Sequence, residues 1–368
     1  MKICFIAPAN NYHTAKWCNW FSGRGHTIHV ISFVPGEIEN ATVHYINPGV
    51  GTQENYGKKI KYLLQFKKVK KIVEEIHPDI INVHYATSYG TVAAIAKLDN
   101  YILSVWGADV YDFPKKGFLY KRMLCYSLKR ATTLFSTSKA MAKEAAQYTD
   151  KKFEITPFGV DMEMFSPKKR RNKQTIEGDV DFTIGTIKAL TPKYGIDYLL
   201  KAAAIVKEVE PNITLKVRIG GKGPNELEYK ELAQSLGIGD IVTWLGFIPQ
   251  EQVAKEWANM DVGIVYSSSS SESFGVSAVE AEASGIPVII SDVPGLMEAT
   301  SPGLTSIVVG RMNENALADA IMLLYHDPDL RKRMGAEGRK FANDHYELNK
   351  CFEKVERTFK SICKNGNN

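Results

Sequence analysis

Long hydrophobic runs are missing from this 368-residue chain. No apolar stretch approaches the ~20 residues that span a bilayer as a helix. The start, MKICFIAPA, has too short an apolar stretch for a signal-peptide core of roughly 7–15 residues, so it reads as a buried first strand. Cysteine is sparse as well. The five thiols (Cys4, Cys18, Cys125, Cys351, Cys363) are odd in number and lack C-x-x-C spacing. That pattern implies neither a disulfide framework nor a zinc site, and a reducing cytoplasm is expected. Compositional extremes are absent: 44% hydrophobic and 24% charged residues suit a globular protein. At ~150 residues per domain the length suggests two domains, each able to bury a core without staples.

Charge is present but uneven. Residues 1–165 hold 21 Lys/Arg against 14 Asp/Glu, a net +7, and the remainder 25 against 27, a net −2, so the chain's +5 comes from its N-terminal half. A basic face attracts anionic membranes, nucleic acids or phosphorylated substrates. No nucleic-acid reading motif accompanies it, so no nucleic-acid partner is expected.

Short apolar strands alternate with helices along both halves. Strands are expected at Lys2–Ala7, Thr27–Phe33, Ile80–His84, Tyr101–Val105 and Thr133–Ser136, with helices at Thr14–Ser22, Lys58–Ile76, Tyr89–Lys97, Leu119–Lys129 and Lys139–Tyr148. The alternation restarts with strands Phe182–Lys188, Leu215–Gly220, Ile241–Leu245, Val262–Tyr266, Pro287–Ser291 and Thr305–Val309. Helices fall at Ile196–Val209, Asn225–Leu236, Gln250–Ala258, Gly275–Ser284 and Asn313–Tyr325. The tail Asp329–Ile362 is helical with a break near Asp344–Glu347. This predicts two α/β domains with parallel sheets covered on both faces. The boundaries are 1–165, a linker at 166–181 holding the cluster Lys168, Lys169, Arg170 and Arg171, 182–343, and a C-terminal helix at 344–368 that returns to the first domain.

Three segments carry chemistry. ESFGVSAVEAEASGIPVIIS (272–291) follows a strand and the serine loop Ser267–Ser271. Phe274 and Gly275 open a helix, whose free amides and dipole favour phosphate. Glu280 lies five residues in, ~7–8 Å along the axis. Glu272 and Glu280 would flank an anion rather than bind it, which suits sugar hydroxyls; the spacing alone fits a surface helix with scattered glutamates equally well. In GTIKALTPKYGIDYLL (185–200), Lys188 and Lys193 lie at a strand's C-terminal edge, where ligands of such sheets sit. They would balance a diphosphate leaving group, or be two solvated loop lysines. IGGKGP (219–224), with Gly221, permits close backbone approach to a ligand or is a plain turn.

These segments resemble glycosyltransferase family 4, retaining enzymes of the GT-B fold. ESFGVSAVE matches the family's E-x7-E motif, EAEASGIPV its continuation, and GVDMEMFSP (159–167) its interdomain segment. Lys188 stands where the family usually has Arg, which keeps charge but loses bidentate geometry. The resemblance implies two Rossmann-like domains facing across a cleft, acceptor on the N-terminal side and donor on the C-terminal side. It also implies sugar transfer from a nucleotide-diphosphate sugar to a hydroxyl of a carbohydrate or lipid-linked acceptor, with retention. Glu272 would bind donor-sugar hydroxyls and Glu280 the ribose. Lys188, Lys193 and the amides around Ser273, Phe274 and Gly275 would hold the diphosphate. No metal or other cofactor is expected, and Asp179–Asp181 (D-x-D) reads as chance.

The N-terminal half departs from the pattern. Ala9, Asn10 and Asn11 replace a Gly-Gly that approaches the donor, leaving Asn10 as the candidate donor contact. Trp106 takes the place of an active-site His in SVWGADV (104–110). Asp109 nearby is either a polar group of the site or a loop carboxylate. His13 and His84 are further candidates, though a lone His is more often structural.

Helix Lys58–Ile76 has an apolar stripe at Tyr62, Phe66, Val69, Val73 and Ile76, with Lys58, Lys59, Lys61, Lys67, Lys68, Lys70 and Lys71 elsewhere. Together with the basic aromatic stretch 113–131 it fits either peripheral attachment to the inner membrane leaflet or a soluble lysine-rich surface. Cell-surface polysaccharide or glycolipid assembly is the expected setting. A nucleotide-sugar epimerase and a nucleotide-sugar-binding protein without catalysis are the rivals; Trp106 favours the latter.

Overall fold

The computed structural model describes residues 1–50, 58–167 and 181–365. The chain divides into two compact units, Met1–Phe158 with Cys351–Asn368, and Gly159–Lys350.

The first unit is a seven-stranded parallel sheet: β1 (Lys2–Ile6), β2 (Thr27–Ser32), β3 (Thr42–Tyr45), β4 (Ile80–His84), β5 (Tyr101–Val105), β6 (Thr133–Ser136) and β7 (Phe153–Ile155), in the order β3-β2-β1-β4-β5-β6-β7. Strands β4 and β5 are buried at every position, as sheets covered on both faces require. The order reverses direction between β1 and β4, the place where doubly wound sheets bind ligands. Edge strands β3 and β7 lie outside the strands expected from sequence. At four and three residues, only partly buried, they lack the apolar run that marks a central strand.

The first helix spans Tyr12–Gly23 and starts earlier than expected, because the Asn11 side chain caps it, accepting from His13 N and Thr14 N at 2.8 and 3.3 Å. The expected single helix Lys58–Ile76 is two elements, a 3-10 helix at Lys58–Gln65 and an α-helix at Phe66–Ile76. Its apolar stripe survives the change of winding. Tyr62, Val69, Val73 and Ile76 are buried, and Tyr62 packs on Phe33 and Tyr89 at 4.9 and 6.3 Å. Tertiary contacts thus outweigh the regular helical repeat at its start. The side chains of Lys58 and Lys59 lie outside the described residues.

The break in the C-terminal tail falls at Glu347, between helices Pro328–Tyr346 and Leu348–Asn365. The final helix buries Cys351, Phe352, Val355 and Phe359, one face at helical spacing. Phe352 meets Trp17 at 5.1 Å, and Phe359 stacks on Phe21 at 5.2 Å. Beside them Glu356 accepts from Arg24 and sits 2.8 Å from His26 Nε2.

The second unit is a six-stranded parallel sheet: β8 (Phe182–Ile187), β9 (Leu215–Gly220), β10 (Val242–Gly246), β11 (Val262–Val265), β12 (Val288–Ser291) and β13 (Ser306–Val309), in the order β10-β9-β8-β11-β12-β13. Its reversal lies between β8 and β11. A six-residue helix, Pro294–Ala299, was not expected; it is too short to show a period. The linker lysines and arginines 168–171 and Asp179 lie outside the described residues. Asp181 accepts from Lys216, so it is engaged in an ion pair.

Candidate functional site

Strands β8 and β11 flank the reversal of the second sheet, and their C-terminal ends deliver two loops to one place. Lys188 follows β8 and the serine loop Ser267–Ser271 follows β11. Ser267 N–H donates to Ser291 Oγ at 2.9 Å. Ser268 N–H donates to the Lys193 carbonyl at 2.9 Å, and the Ser268 hydroxyl to the Pro192 carbonyl at 2.6 Å. Lys193 Nζ returns a bond to the Ser271 carbonyl at 3.0 Å. Each such bond contributes about 1 kcal/mol net, and together they tie the Lys193 turn to the serine loop.

At the centre, Lys188 Nζ donates to Glu272 Oε2 at 3.1 Å; the side chains are only 10% and 11% exposed. Burial alone would lower Lys188, but Glu272 outweighs it and holds the ammonium above its usual range. Burial would raise Glu272, yet Lys188 and then Lys193 keep it below the usual carboxylate range. Both groups are therefore charged at neutral pH, a buried pair whose cost falls on whichever partner is left alone. Tyr194 lies between the two lysines, its ring centre 4.9 Å from Lys188 Nζ and 5.4 Å from Lys193 Nζ. Its aromatic face attracts both cations. The sequence offered no signal for that role.

Helix Val276–Ala283 opens beside this pair. Gly275 precedes it as the cap in the left-handed region, at φ 79°, so the helix begins one residue later than expected. An added Cβ there would meet Leu296 Cδ2 at 2.5 Å, and only glycine fits. The Gly275 N–H donates to Glu272 Oε1 at 3.2 Å, so the glutamate already reaches the helix N-terminus. Phe274 is buried, with its ring edge-on to Tyr346 at 5.1 Å. Ser273 lies between Glu272 and Phe274, half-buried. Glu280 is the fifth residue of the helix and accepts from Gln250 Nε2 at 3.0 Å. Gln250 begins its own helix, and nothing in its sequence setting marked it as a partner. Gly221, at φ 131°, passes so close to Lys188 that an added Cβ would lie 1.9 Å from the Lys188 carbonyl. Its N–H donates to the Gly246 carbonyl at 2.7 Å. The two lysines, both glutamates and the helix start thus converge on one edge of the sheet.

The candidates of the first unit gather at the reversal of the first sheet. Asp109 is 3% exposed. Its Oδ1 accepts from Gly107 N–H at 2.8 Å and Trp106 N–H at 3.2 Å, and its Oδ2 from Ala86 N–H at 2.8 Å. Burial raises its pKa against the pull of these amides. Of the two readings open in the sequence, this geometry is that of the loop carboxylate, ordering the turns after β4 and β5. Asn10 is exposed. Trp106 packs over His84 at 4.3 Å and beside Phe158 at 5.2 Å. His84 is not at the open edge. It is buried, with Nε2 2.7 Å from Asn82 Oδ1, and burial pushes it down to about 3. His13 stacks on Phe158 at 4.1 Å and lies edge-on to Trp106 at 6.0 Å. Burial, with Lys16, lowers it to about 3 as well, so both imidazoles are neutral.

Two doubly wound parallel units, one with paired lysines and glutamates at its reversal, define a GT-B protein. Residues 167–341 match the model of glycosyl transferases group 1, and residues 2–138 match that of glycosyl transferase 4-like domains. Between them the two glycosyltransferase models cover most of the chain, which is a glycosyltransferase of the family 4-like kind. A D-inositol 3-phosphate glycosyltransferase of Paenarthrobacter aurescens is 32% identical over 188 residues, 50% of this chain and 46% of that protein. The chain thus spans about half the length of the curated relatives it matches. Sucrose-phosphate synthase from Thermosynechococcus elongatus superposes with a TM-score of 0.82 at 19% identity, covering 98% of this chain and 99% of the other. HepE of Anabaena, in complex with UDP and glucose, superposes at 0.78 and 19% identity, covering 98% and 100%. At such identities these structures establish the fold.

Proposed function

We propose that the chain transfers a sugar from a nucleotide-diphosphate sugar to a hydroxyl of a carbohydrate or lipid-linked acceptor, with retention at the anomeric carbon. The observation that carries this is the buried Lys188–Glu272 pair, with Lys193 beside it at the start of a helix. Lys188 and Lys193 bind the two phosphates, joined by the dipole of the helix after Gly275. They take the place of a divalent cation, so the reaction needs no metal. Glu272 accepts hydroxyls of the donor sugar, Glu280 accepts those of the ribose, and the backbone at Ser273, Phe274 and Gly221 lines the approach.

The acceptor oxygen attacks from the face the diphosphate leaves. The bond from the anomeric carbon to phosphate oxygen breaks, the new glycosidic bond forms, and the acceptor proton passes to the departing diphosphate. The protein contributes position and charge. Asp109 acts as a positioning residue through the loops it orders, and Asn10 stands at the acceptor-side sheet edge as a donor contact. Work at the inner face of the cytoplasmic membrane, in polysaccharide or glycolipid assembly, accords with the basic first unit. No helix among the described residues is long and apolar enough to cross a membrane.

Proton NMR of products formed from a panel of nucleotide sugars and hydroxyl acceptors tests the reaction. A product with the donor's anomeric configuration, formed equally in excess EDTA, is expected. An inverted product, or an epimerised donor with no acceptor consumed, would refute it.

A further inference from the structure

The first unit holds a cavity of about 350 Å³ at the point where its own sheet reverses, walled by loops that follow β1, β2, β4 and β5. Doubly wound sheets bind ligands at this position. Its lining is mostly apolar: Val34, Tyr62, Tyr89, Phe113 and Met123 form much of the wall. The one carboxylate in it, Asp109, has both oxygens engaged by backbone amides. A pocket for a polar sugar needs several convergent polar groups to replace lost water; here Asn10, Thr87 and Ser88 add polar atoms at the sheet edge, while the wall around Val34, Phe113 and Met123 suits hydrocarbon.

The rim repeats the theme. Ile60 and Leu119 line the cavity and are 61% and 67% exposed, with Leu64 and Phe118 near them in sequence at 71% and 74%. Large apolar side chains held in water on two neighbouring elements mark an interaction surface. Those elements and the segments adjoining them carry exposed Lys61, Lys67, Lys115, Lys116, Lys121 and Arg122. The stretches 58–73 and 113–131 contain no Asp or Glu. An apolar cavity with an apolar lip and flanking cations complements one kind of molecule: a chain of hydrocarbon with an anionic head.

We propose that this cavity takes the apolar chain of an anionic membrane lipid that serves as the acceptor, seating its head at the sheet edge for glycosylation. The inference rests on the transfer reaction proposed above and narrows its acceptor. The lip enters the lipid surface, the cations hold the phosphate, and the chain fills the cavity.

Calorimetry with butyl, hexyl, octyl and decyl phosphate, each below its micelle concentration, tests this on the full chain. Burying each CH2 favours binding by about 0.8 kcal/mol, which is roughly a fourfold gain in affinity per carbon until the cavity is full. Met123→Trp, which fills the cavity, is expected to abolish the chain-length series. Leu119→Ser, an exposed change that leaves the core intact, is expected to weaken each member several-fold. Vesicles of phosphatidylglycerol and phosphatidylcholine should retain the parent protein better than Leu119→Ser. Affinity independent of chain length, or a series unchanged in both variants, overturns the proposal. So does vesicle binding lost entirely in moderate salt and indifferent to Leu119. Titration of the same samples with UDP and GDP separates the outcomes: nucleotide binding that persists while the series fails removes only the lipid acceptor.

Discussion

Replacing Lys188 by Met separates the structural from the functional role of the buried pair. The substitution keeps much of the side chain's volume and removes the ammonium 3.1 Å from Glu272. Glu272 then keeps the Gly275 amide at 3.2 Å and the more distant Lys193, inside a site where its side chain is 11% exposed. Removing one partner of a buried pair costs about 3–5 kcal/mol, and residual attraction to Lys193 sets the lower end, near 3. For a unit the size of Gly159–Lys350 this shifts the melting temperature by about 6–12 °C. The sign with pH follows from the direction of Glu272. Its carboxyl lies below the usual range in the parent, so the pair contributes stability above the unfolded value and loses it as pH falls. Lys188→Met removes the largest attraction and leaves burial to raise the carboxyl, so the dependence reverses and stability is lost as pH rises. The double variant Lys188→Met, Glu272→Gln should regain most of the melting temperature and none of the transfer. Thermal unfolding by circular dichroism, with transfer assays on all four members of the cycle, provides the check. A single variant melting within a degree of the parent, or a double variant that transfers normally, would show the pair to be neither buried in effect nor used.

Further expectations follow from other groups. Lys193→Ala should slow transfer by 10- to 150-fold, the loss of one charge-assisted bond to phosphate, with a far smaller fall in melting temperature than Lys188→Met; equal effects on both would contradict separate roles. Glu282, fully buried, is pushed up to about 8 by burial, with the Thr305 hydroxyl opposing. Its stabilising protonated form is complete below the unfolded value near 4.5 and is lost as pH rises through 8. Glu282→Gln should remove that alkaline loss, on the order of 2–4 kcal/mol, in melting curves from pH 5 to 8.5. Glu356 goes the other way: burial would raise it, but bonds with His26, Lys360 and Arg24 hold it at about 2. Glu356→Gln should therefore weaken the docking of the final helix above pH 4.5 and flatten the acid limb between 4.5 and 2, read by acid unfolding followed in Trp fluorescence, to which Trp17 and Trp20 beside that helix contribute.

Central strands were legible because burial on both faces leaves an apolar run with few alternatives. Ile80–His84, Tyr101–Val105 and Thr133–Ser136 match the sequence expectation residue for residue, and Leu215–Gly220 does so through its alternation of buried and more exposed positions. The half-exposed edges Thr42–Tyr45 and Phe153–Ile155 carry no such run. The loops bearing Lys188, Lys193 and Glu272 were visible because each follows a strand and opens toward a helix, and Glu280 lies in the helix that the last of them opens. Their pairing was not, since Lys188 and Glu272 are 84 residues apart and meet only through the order β8-β11. Tyr194 and Gln250 take part through geometry that no local pattern encodes. Asn11, which stands with Ala9 and Asn10 in place of the Gly-Gly, caps the first helix, a role its sequence setting did not announce. Glu282 was passed over because a glutamate in a helix is ordinarily solvated; here it faces Gly338 across a closely packed helix pair.

The central claim is that Lys188 and Lys193 grip one diphosphate. Calorimetric titration with UDP, GDP and ADP, each beside its monophosphate, measures that directly on the parent and on Lys188→Ala, Lys193→Ala. The account predicts that one diphosphate binds the parent at least about tenfold more tightly than its monophosphate, a difference of about 1.4 kcal/mol, and that this preference disappears in the double variant. Equal binding of diphosphate and monophosphate by the parent, or a preference that survives loss of both ammoniums, would contradict it.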